Sequence, residues 1–297
     1  MQTIGLIGLG LMGMPMAKNL LDAGIQTVGY RRGRAEDFIA MGGKLLSSTR
    51  EVIETADIVV SCIPNDAALQ DIMSGPHGLL SADCAGKVLI ELSTLSESVK
   101  RDEADKLAAK GGVMLDGAIS GLPPMVAAKT AAFFVSGDEQ ACSVARPVLE
   151  TLTTKLFFMG EFGAASRTKL CANMLVATNL AAIAETLAFG ARQGIATDRL
   201  VEALGQGAGS SIQFHARASK MATGDWETAL GATGMLAKDI KLIAAAAEAC
   251  DCPTPVLAGV QSIYETALER GYGEKDVASI YGSVAQTAGL PIPGSDT

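Results

Sequence analysis

The chain has 297 residues, 48% of them hydrophobic and 19% charged, a globular balance that excludes disorder as the main state. At roughly 150 residues per domain, this length predicts two domains. Aromatics are 4%, and 24 basic residues against 32 acidic ones leave a net charge of −8. Neither an aromatic platform for RNA bases nor a general attraction for phosphate backbones or anionic membranes is expected, so no nucleic-acid or membrane partner is predicted. The 33 glycines, about 11% against a usual value of about 7%, point to tight turns or close backbone approach.

The front of the chain alternates strand and helix patterns. Residues 2–9 read as an apolar strand, 14–23 as a helix ending at Gly24, 27–30 as a second strand, and 36–41 as a short helix closed by Gly42-Gly43. A helix over 48–55 precedes Ile58-Val59-Val60-Ser61-Cys62-Ile63, a continuous apolar run expected of a strand buried on both faces. A helix over 67–73, a strand over 88–92, an amphipathic helix over 99–110, strands over 113–116 and 131–136, a helix over 140–153 and a last strand over 156–159 continue the series. Such alternation predicts a parallel sheet with helices on both faces. After Gly163 the character changes. Residues 166–193 form one Ala/Leu/Ile-rich stretch without proline, roughly 40 Å long as a helix. Residues 198–204, 211–221, 230–249, 255–270 and 275–286 all carry helical periods. The expected domains are 1–163 and an all-helical 164–297.

No basic, then apolar, leader pattern is read at the N-terminus. The most apolar stretch, 171–191, is interrupted by Asn173, Asn179 and Glu185, so a membrane span is not expected and a cytoplasmic protein is. The six cysteines lie in apolar runs without a Cys-x-x-Cys pair, and only His77 and His215 are present. Reduced, structural thiols are expected, and no metal site; Cys250-Asp251-Cys252 is a weak metal or redox signal.

Gly8-Leu9-Gly10-Leu11-Met12-Gly13 is a G-x-G-x-x-G directly after a strand and before a helix, the context a dinucleotide site needs. Gly8 makes the turn, Gly10 lets backbone approach a diphosphate, and Gly13 packs helix on strand. The diphosphate then meets unpaired N–H groups and the positive end of the helix. An NAD enzyme usually has an acid at the end of the second strand for the ribose 2′-OH. Here that segment reads Tyr30-Arg31-Arg32-Gly33-Arg34, and guanidinium suits a 2′-phosphate. NADP is expected in preference to NAD. The fold class follows: α/β, an N-terminal Rossmann domain and a C-terminal all-helical domain joined by a long interdomain helix.

The opening run, from Gly8 through Met14-Pro15-Met16-Ala17-Lys18-Asn19-Leu20, resembles the signature of the β-hydroxyacid dehydrogenases, the family of 3-hydroxyisobutyrate dehydrogenase, tartronate semialdehyde reductase and the 6-phosphogluconate dehydrogenases. Three further segments match in order: Glu91-Leu92-Ser93-Thr94, then Asp116-Gly117-Ala118-Ile119-Ser120-Gly121, then Gly160-Glu161-Phe162-Gly163 with Lys169 and Asn173. Lys238-Asp239 matches the family's C-terminal Lys-Asp. The resemblance covers nearly the whole chain. It implies hydride transfer between nicotinamide and a small β-hydroxyacid or related aldehyde or semialdehyde, with Lys169 as general acid/base and Asn173 orienting the substrate. It implies that Ser120 and Gly121 hold the substrate's acid group by hydroxyl and backbone N–H, and places Leu122 among the substrate-binding residues. It adds Ile63, Pro64, Thr94 and Lys238 to the cofactor contacts, while Asp239 is read as structural. The residues carry a reading of their own: Lys169 and Asn173 are i and i+4 on one helix face, and a lysine there can give a proton to a carbonyl oxygen and take it back.

The chain also departs from the family. Where the substrate loop usually has glycines, Leu122, Met125 and Lys129 stand, and Pro123-Pro124 offer no backbone N–H. The family's Ser-Trp pair appears as Ser211-Ile212, with Gln213 and His215 nearby. A carbonyl substrate with a different or bulkier flank than a simple short hydroxyacid is expected. Two alternatives stay open: an imine or ketone reductase of the same superfamily, which commonly replaces the catalytic lysine, and a non-catalytic dinucleotide sensor. The apolar long helix predicts a homodimer or homotetramer.

Overall fold

The protein's structure, a computed structural model, describes residues 3–294; Gln2, at the head of the first expected strand, lies outside the described residues. Two compact units meet at the chain between Lys169 and Leu170, against an expected boundary at 163/164. The offset arises because the first turn of the long helix bonds to the sheet.

In the first unit, β1 (Thr3–Ile7), α1 (Gly13–Asp22), β2 (Gln26–Tyr30), α2 (Glu36–Ala40), β3 (Lys44–Leu45), α3 (Thr49–Thr55), β4 (Ile58–Ser61), α4 (Asp66–Ser74), β5 (Val88–Glu91), α5 (Glu97–Ala108) and β6 (Val113–Ser120) follow in order. Then come α6 (Pro123–Ala127), β7 (Ala132–Ser136), α7 (Glu139–Leu152), β8 (Lys155–Phe158) and the start of α8 (Ala164–Arg192). The strands form one sheet in the order β3-β2-β1-β4-β5-β6-β7-β8. Its first six strands are parallel, as expected. β7 corrects that expectation: it runs antiparallel to β6, with β8 parallel to β7. The link from β6 to β7 is short and holds only α6, too little for the crossover that a parallel pair requires.

Alternate strand residues enter different cores because successive side chains point to opposite faces. Ile58, Val60, Val88 and Ile90 pack with Met16, Ala17 and Leu20 of α1 and with Ala145 and Leu149 of α7. Val59 and Leu89 pack on the other face with Val52 and Ile53 of α3 and Leu69 of α4. This sandwiching explains the unbroken apolar run at 58–60. The strand order changes direction between β1 and its neighbours β2 and β4, and the glycine turn leaves β1 at that point, where open α/β sheets bind ligands.

One row of polar groups breaks the apolar interior. Ser61, Glu91, Asp116 and Ser136 are register partners across β4, β5, β6 and β7, and all four are fully buried. Lys100 of α5 is buried beside them, with Nζ 3.0 Å from Asp116 Oδ1.

The second unit holds the rest of α8 with α9 (Thr197–Gly205), α10 (Ile212–Thr223), α11 (Thr233–Ala249), α12 (Pro255–Glu269) and α13 (Ile280–Thr287). The only bridge outside named strands among the described residues joins Ala232 to Asp276, so the helical expectation agrees with the structure. Its core gathers Leu180, Ala184 and Leu187 of α8 with Phe214, Trp226, Ile240 and Tyr264. Arg217 and Asp276 form a buried ion pair at 3.0 Å within it. By length and composition α8 is apolar enough to cross a membrane, because Asn173, Asn179 and Glu185 lower its mean hydropathy too little. In this fold it instead supplies the core of a helical bundle.

Replacing Asp116 by Ala leaves the buried Lys100 charge uncompensated and is expected to cost about 3–5 kcal/mol in denaturant unfolding. Burial works against the Asp116 charge, but the Lys100 ammonium and the bonds from Ser166 outweigh it and hold its carboxyl below the usual range. Its contribution is therefore complete at neutral pH and is lost only in acid, as pH falls through the depressed value. Acid unfolding of Asp116→Ala followed by circular dichroism should lack that component.

Candidate active site

The glycine turn is shaped by three different constraints. Gly8 has φ +93°, and a Cβ there would lie 2.1 Å from the Cys62 carbonyl oxygen. Gly13 lies so close to the turn that a Cβ would stand 1.9 Å from the Gly8 oxygen. Gly10 faces open space, with no atom within 4 Å of an added Cβ. The helix that follows has no side-chain cap and no acid in its first turn. Its leading N–H groups and positive dipole end lie beside that open space, and this arrangement fits a diphosphate. Leu9 is buried in the core, so it contributes backbone only, while Leu11 is exposed and Met12 half-buried.

Tyr30 ends β2 half-buried, and Arg31 and Arg32 follow it into solvent. Arg31 Nη1 donates to the Leu9 carbonyl at 3.2 Å, which brings one guanidinium onto the glycine turn. Arg34 pairs loosely with Glu36 at 3.5 Å, both well exposed. No carboxylate stands among residues 30–35. A cationic, acid-free strand end fits a ribose phosphate by charge and by forked donor geometry.

The turns after β4 and β5 are organised by Glu91 and Ser93 of the second matching segment together with Ser61, Asp66 and Ser96, which carry no sequence signal of their own. The buried Glu91 carboxyl accepts from Ser61 Oγ and, at 2.6 Å, from Ser93 N. Ser93 Oγ in turn accepts from Ile63 N at 2.7 Å. Ser96 N and Oγ reach Asp66 at 3.0 and 2.5 Å. The expected cofactor residues Ile63, Pro64 and Thr94 thus ride on two turns stitched together by side chains. Burial pushes the Glu91 carboxyl up, against the pull of Lys100 and its hydrogen bonds. Cys62, beside this cluster, is only part-exposed, and its surroundings push its thiol up to about 12, chiefly by desolvation with help from Glu91. The charge of Lys169 acts on it in the opposite sense, which sets Lys169 within electrostatic reach of the β4 turn.

The segment expected as a substrate loop from Asp116 is strand up to Ser120. Only Gly121 and Leu122 remain before α6, where Pro123 and Pro124 occupy the first two helical positions. Pro suits those positions because their N–H groups are unpaired in any helix. Gly121 is tightly seated, since a Cβ would approach Ala131 Cβ to 2.7 Å. Lys129 adopts φ +58°, the left-handed conformation that glycine takes freely.

Asp116 also receives the start of α8. Ser166 donates to it twice, from Oγ at 2.5 Å and from N at 2.9 Å, and Ala165 N reaches Ser136 Oγ at 3.0 Å. The sheet caps the helix, and Lys169 follows one turn later. In the second unit, Asn173 Nδ2 donates to Asp239 Oδ2 at 2.6 Å, and Lys238 Nζ lies 3.1 Å from Asp239 Oδ1. Asn173, Lys238 and Asp239 are therefore one cluster, with Asp239 its common acceptor.

Among the described residues, no three His, Cys, Asp or Glu side chains group as a metal site. All six cysteines are free thiols. Cys171, Cys250 and Cys252 are exposed rather than structural; Cys250 and Cys252 lie just past the end of α11, where the neighbouring Ala249 and Pro253 are exposed as well.

A family model for the NAD-binding domain of 6-phosphogluconate dehydrogenase matches residues 3–160. A second, for the NAD-binding region of NADP-dependent 3-hydroxyisobutyrate dehydrogenase, matches 163–284. The NAD-dependent L-serine dehydrogenase of Pseudomonas aeruginosa is 30% identical over 94% of this chain and 97% of its own. The 2-(hydroxymethyl)glutarate dehydrogenase of Eubacterium barkeri is 29% identical over 98% of this chain and 97% of its own. The crystal structure of 3-hydroxyisobutyrate dehydrogenase from Salmonella typhimurium superimposes with a TM-score of 0.87 at 28% identity, covering 95% of this chain and 99% of that one.

The open position of Gly10 separates folding from ligand binding. Gly10→Ala should leave the unfolding midpoint within the small range of neutral substitutions, about 0.5 kcal/mol, while weakening dinucleotide binding about tenfold or more in a fluorescence titration. Unchanged affinity would remove the diphosphate from this turn.

Proposed function

The chain belongs to the β-hydroxyacid dehydrogenase family of 3-hydroxyisobutyrate dehydrogenase type, NAD(P)-binding oxidoreductases of the CH–OH group, and on that premise we propose an NADP(H)-preferring enzyme for a small β-hydroxyacid or related aldehyde. The observation that carries the reading is the placement of Lys169, one turn past a sheet-capped helix start and within electrostatic reach of the β4 turn.

The glycine turn and the N-terminus of α1 hold the diphosphate, and Tyr30, Arg31 and Arg32 surround the ribose phosphate. Ile63, Pro64, Thr94 and Lys238 contact the nicotinamide half. The nicotinamide these residues would hold would supply or accept the hydride at the substrate's carbonyl carbon. The Ser120 hydroxyl and the Gly121 backbone N–H hold the acid group, with Leu122 beside the substrate. Negative charge gathers on the carbonyl oxygen as hydride arrives, and Lys169 Nζ supplies the proton there; in the oxidative direction the neutral amine takes the hydroxyl proton back. Asn173 turns its amide oxygen to the substrate while Asp239 fixes its nitrogen. Leu122 and Met125 add apolar bulk beside the acid-binding turn, so the substrate carries a bulkier flank than a short hydroxyacid. Exposed Leu175 and Phe189 on α8 support a homodimer or homotetramer, and the enzyme is taken to work in the cytoplasm.

Lys169→Ala should lose about 10²–10⁴-fold in kcat, the usual worth of a positioned acid/base, with NADPH still bound; full turnover would overturn the assignment. NADPH should bind more tightly than NADH, and the difference should shrink in Arg31→Ala/Arg32→Ala. Equal affinities in the parent protein would refute the cofactor preference. Efficient turnover of 3-hydroxyisobutyrate or tartronate semialdehyde would refute the bulkier substrate.

A further inference from the structure

We propose that Lys100 is a positioning residue for the reaction: its buried ammonium ties the turn after β5 to the first turn of α8, and so sets where Lys169 stands. The proposal rests on the reading of Lys169 as acid/base.

Lys100 has three donors, and each has an acceptor. Nζ lies 3.4 Å from the Glu91 carbonyl, 3.0 Å from Asp116 Oδ1 and 2.8 Å from the Gly117 carbonyl. The side chain is fully buried, so the ammonium has left water and these three acceptors stand in for its hydration. The first acceptor ends β5, whose side chain organises Ser93 and, through it, Ile63. The second is the carboxylate that caps α8. One cation therefore joins the two segments whose relative placement hydride transfer and proton transfer both need.

Stability alone does not account for the arrangement. An apolar replacement of a buried ion pair is often as stable as the pair itself. An apolar pair has no directional bonds, however, and cannot orient Asp116 so that Oδ1 and Oδ2 both meet Ser166. With Lys100 absent, the carboxylate is free to turn and the first turn of α8 loses its fixed anchor. A shift of about 1 Å in a catalytic group is enough to cost on the order of a hundredfold in rate.

The test compares Lys100→Met, the double variant Lys100→Met/Asp116→Asn and Ser166→Ala with the parent enzyme. The double variant removes the unpaired buried charge and so keeps the question open if the single variant does not fold. The expected result for the double variant is NADPH affinity and substrate KM near the parent values, kcat down about ten- to a hundredfold, and faster amide hydrogen exchange at 164–169 and 91–96. Ser166→Ala, which breaks the tie on the helix side only, should show faster exchange at 164–169 alone and a smaller loss of kcat. Parental kcat in the double variant overturns the proposal. So does unchanged exchange at 164–169, or equal losses in cofactor affinity, KM and kcat, which mark a general structural role. Lys169→Ala distinguishes the two readings: it should lower kcat about 10²–10⁴-fold without changing exchange at 91–96, and full turnover there condemns the acid/base reading rather than the tie, which the exchange data then judge alone.

Discussion

Four donors close on the Asp116 carboxylate, and they come from three directions: Lys100 from α5, Ser136 from the neighbouring strand, and the backbone and hydroxyl of Ser166 from α8. A carboxylate so saturated has one orientation. It anchors the beginning of a 29-residue helix at the positive end of its dipole, where negative charge is favoured. The alternative, a helix start with unpaired amides beside a dry sheet, would carry an unsatisfied-donor penalty at each. The proposed proton donor inherits its position from this capping.

The same economy of backbone runs through the nucleotide turn. Gly8 and Gly13 are required by packing, since any side chain would strike a carbonyl oxygen, whereas Gly10 is required only by what has to approach it. These roles were legible in the residues because a turn between strand and helix admits few solutions, and the G-x-G-x-x-G spacing names one of them. The three arginines after Tyr30 are visible in the sequence as a cationic, acid-free strand end, and the structure leaves them exposed there. Strand and helix identities followed from periodicity, and the apolar run at 58–60 fell where two faces of the sheet are covered.

What stayed hidden depends on pairs distant in the chain. Ser61, Glu91, Asp116 and Ser136 show nothing in common until the sheet register aligns them, and Lys100 reads as one more charge on an amphipathic helix until its face proves to be the inward one. Asp239 reads as structural from the sequence, but its bond from Asn173, 66 residues away, is visible only in the fold. The reversed β7 and the one-turn α6 were missed because a proline pair reads as loop, although Pro123 and Pro124 occupy the two helical positions that tolerate proline best. The exposed cysteines differ from expectation because an apolar composition around a cysteine does not by itself bury it: at Cys250 and Cys252 the flanking residues also face solvent.

That proline pair has a further consequence. Two ring-locked φ angles directly after Gly121 and Leu122 remove much of the torsional freedom such a segment would have in a glycine-rich version. Were a molecule received there, it would meet a template already set: the segment would surrender little disorder on binding, so discrimination would rest on shape from the first encounter rather than on adjustment after it.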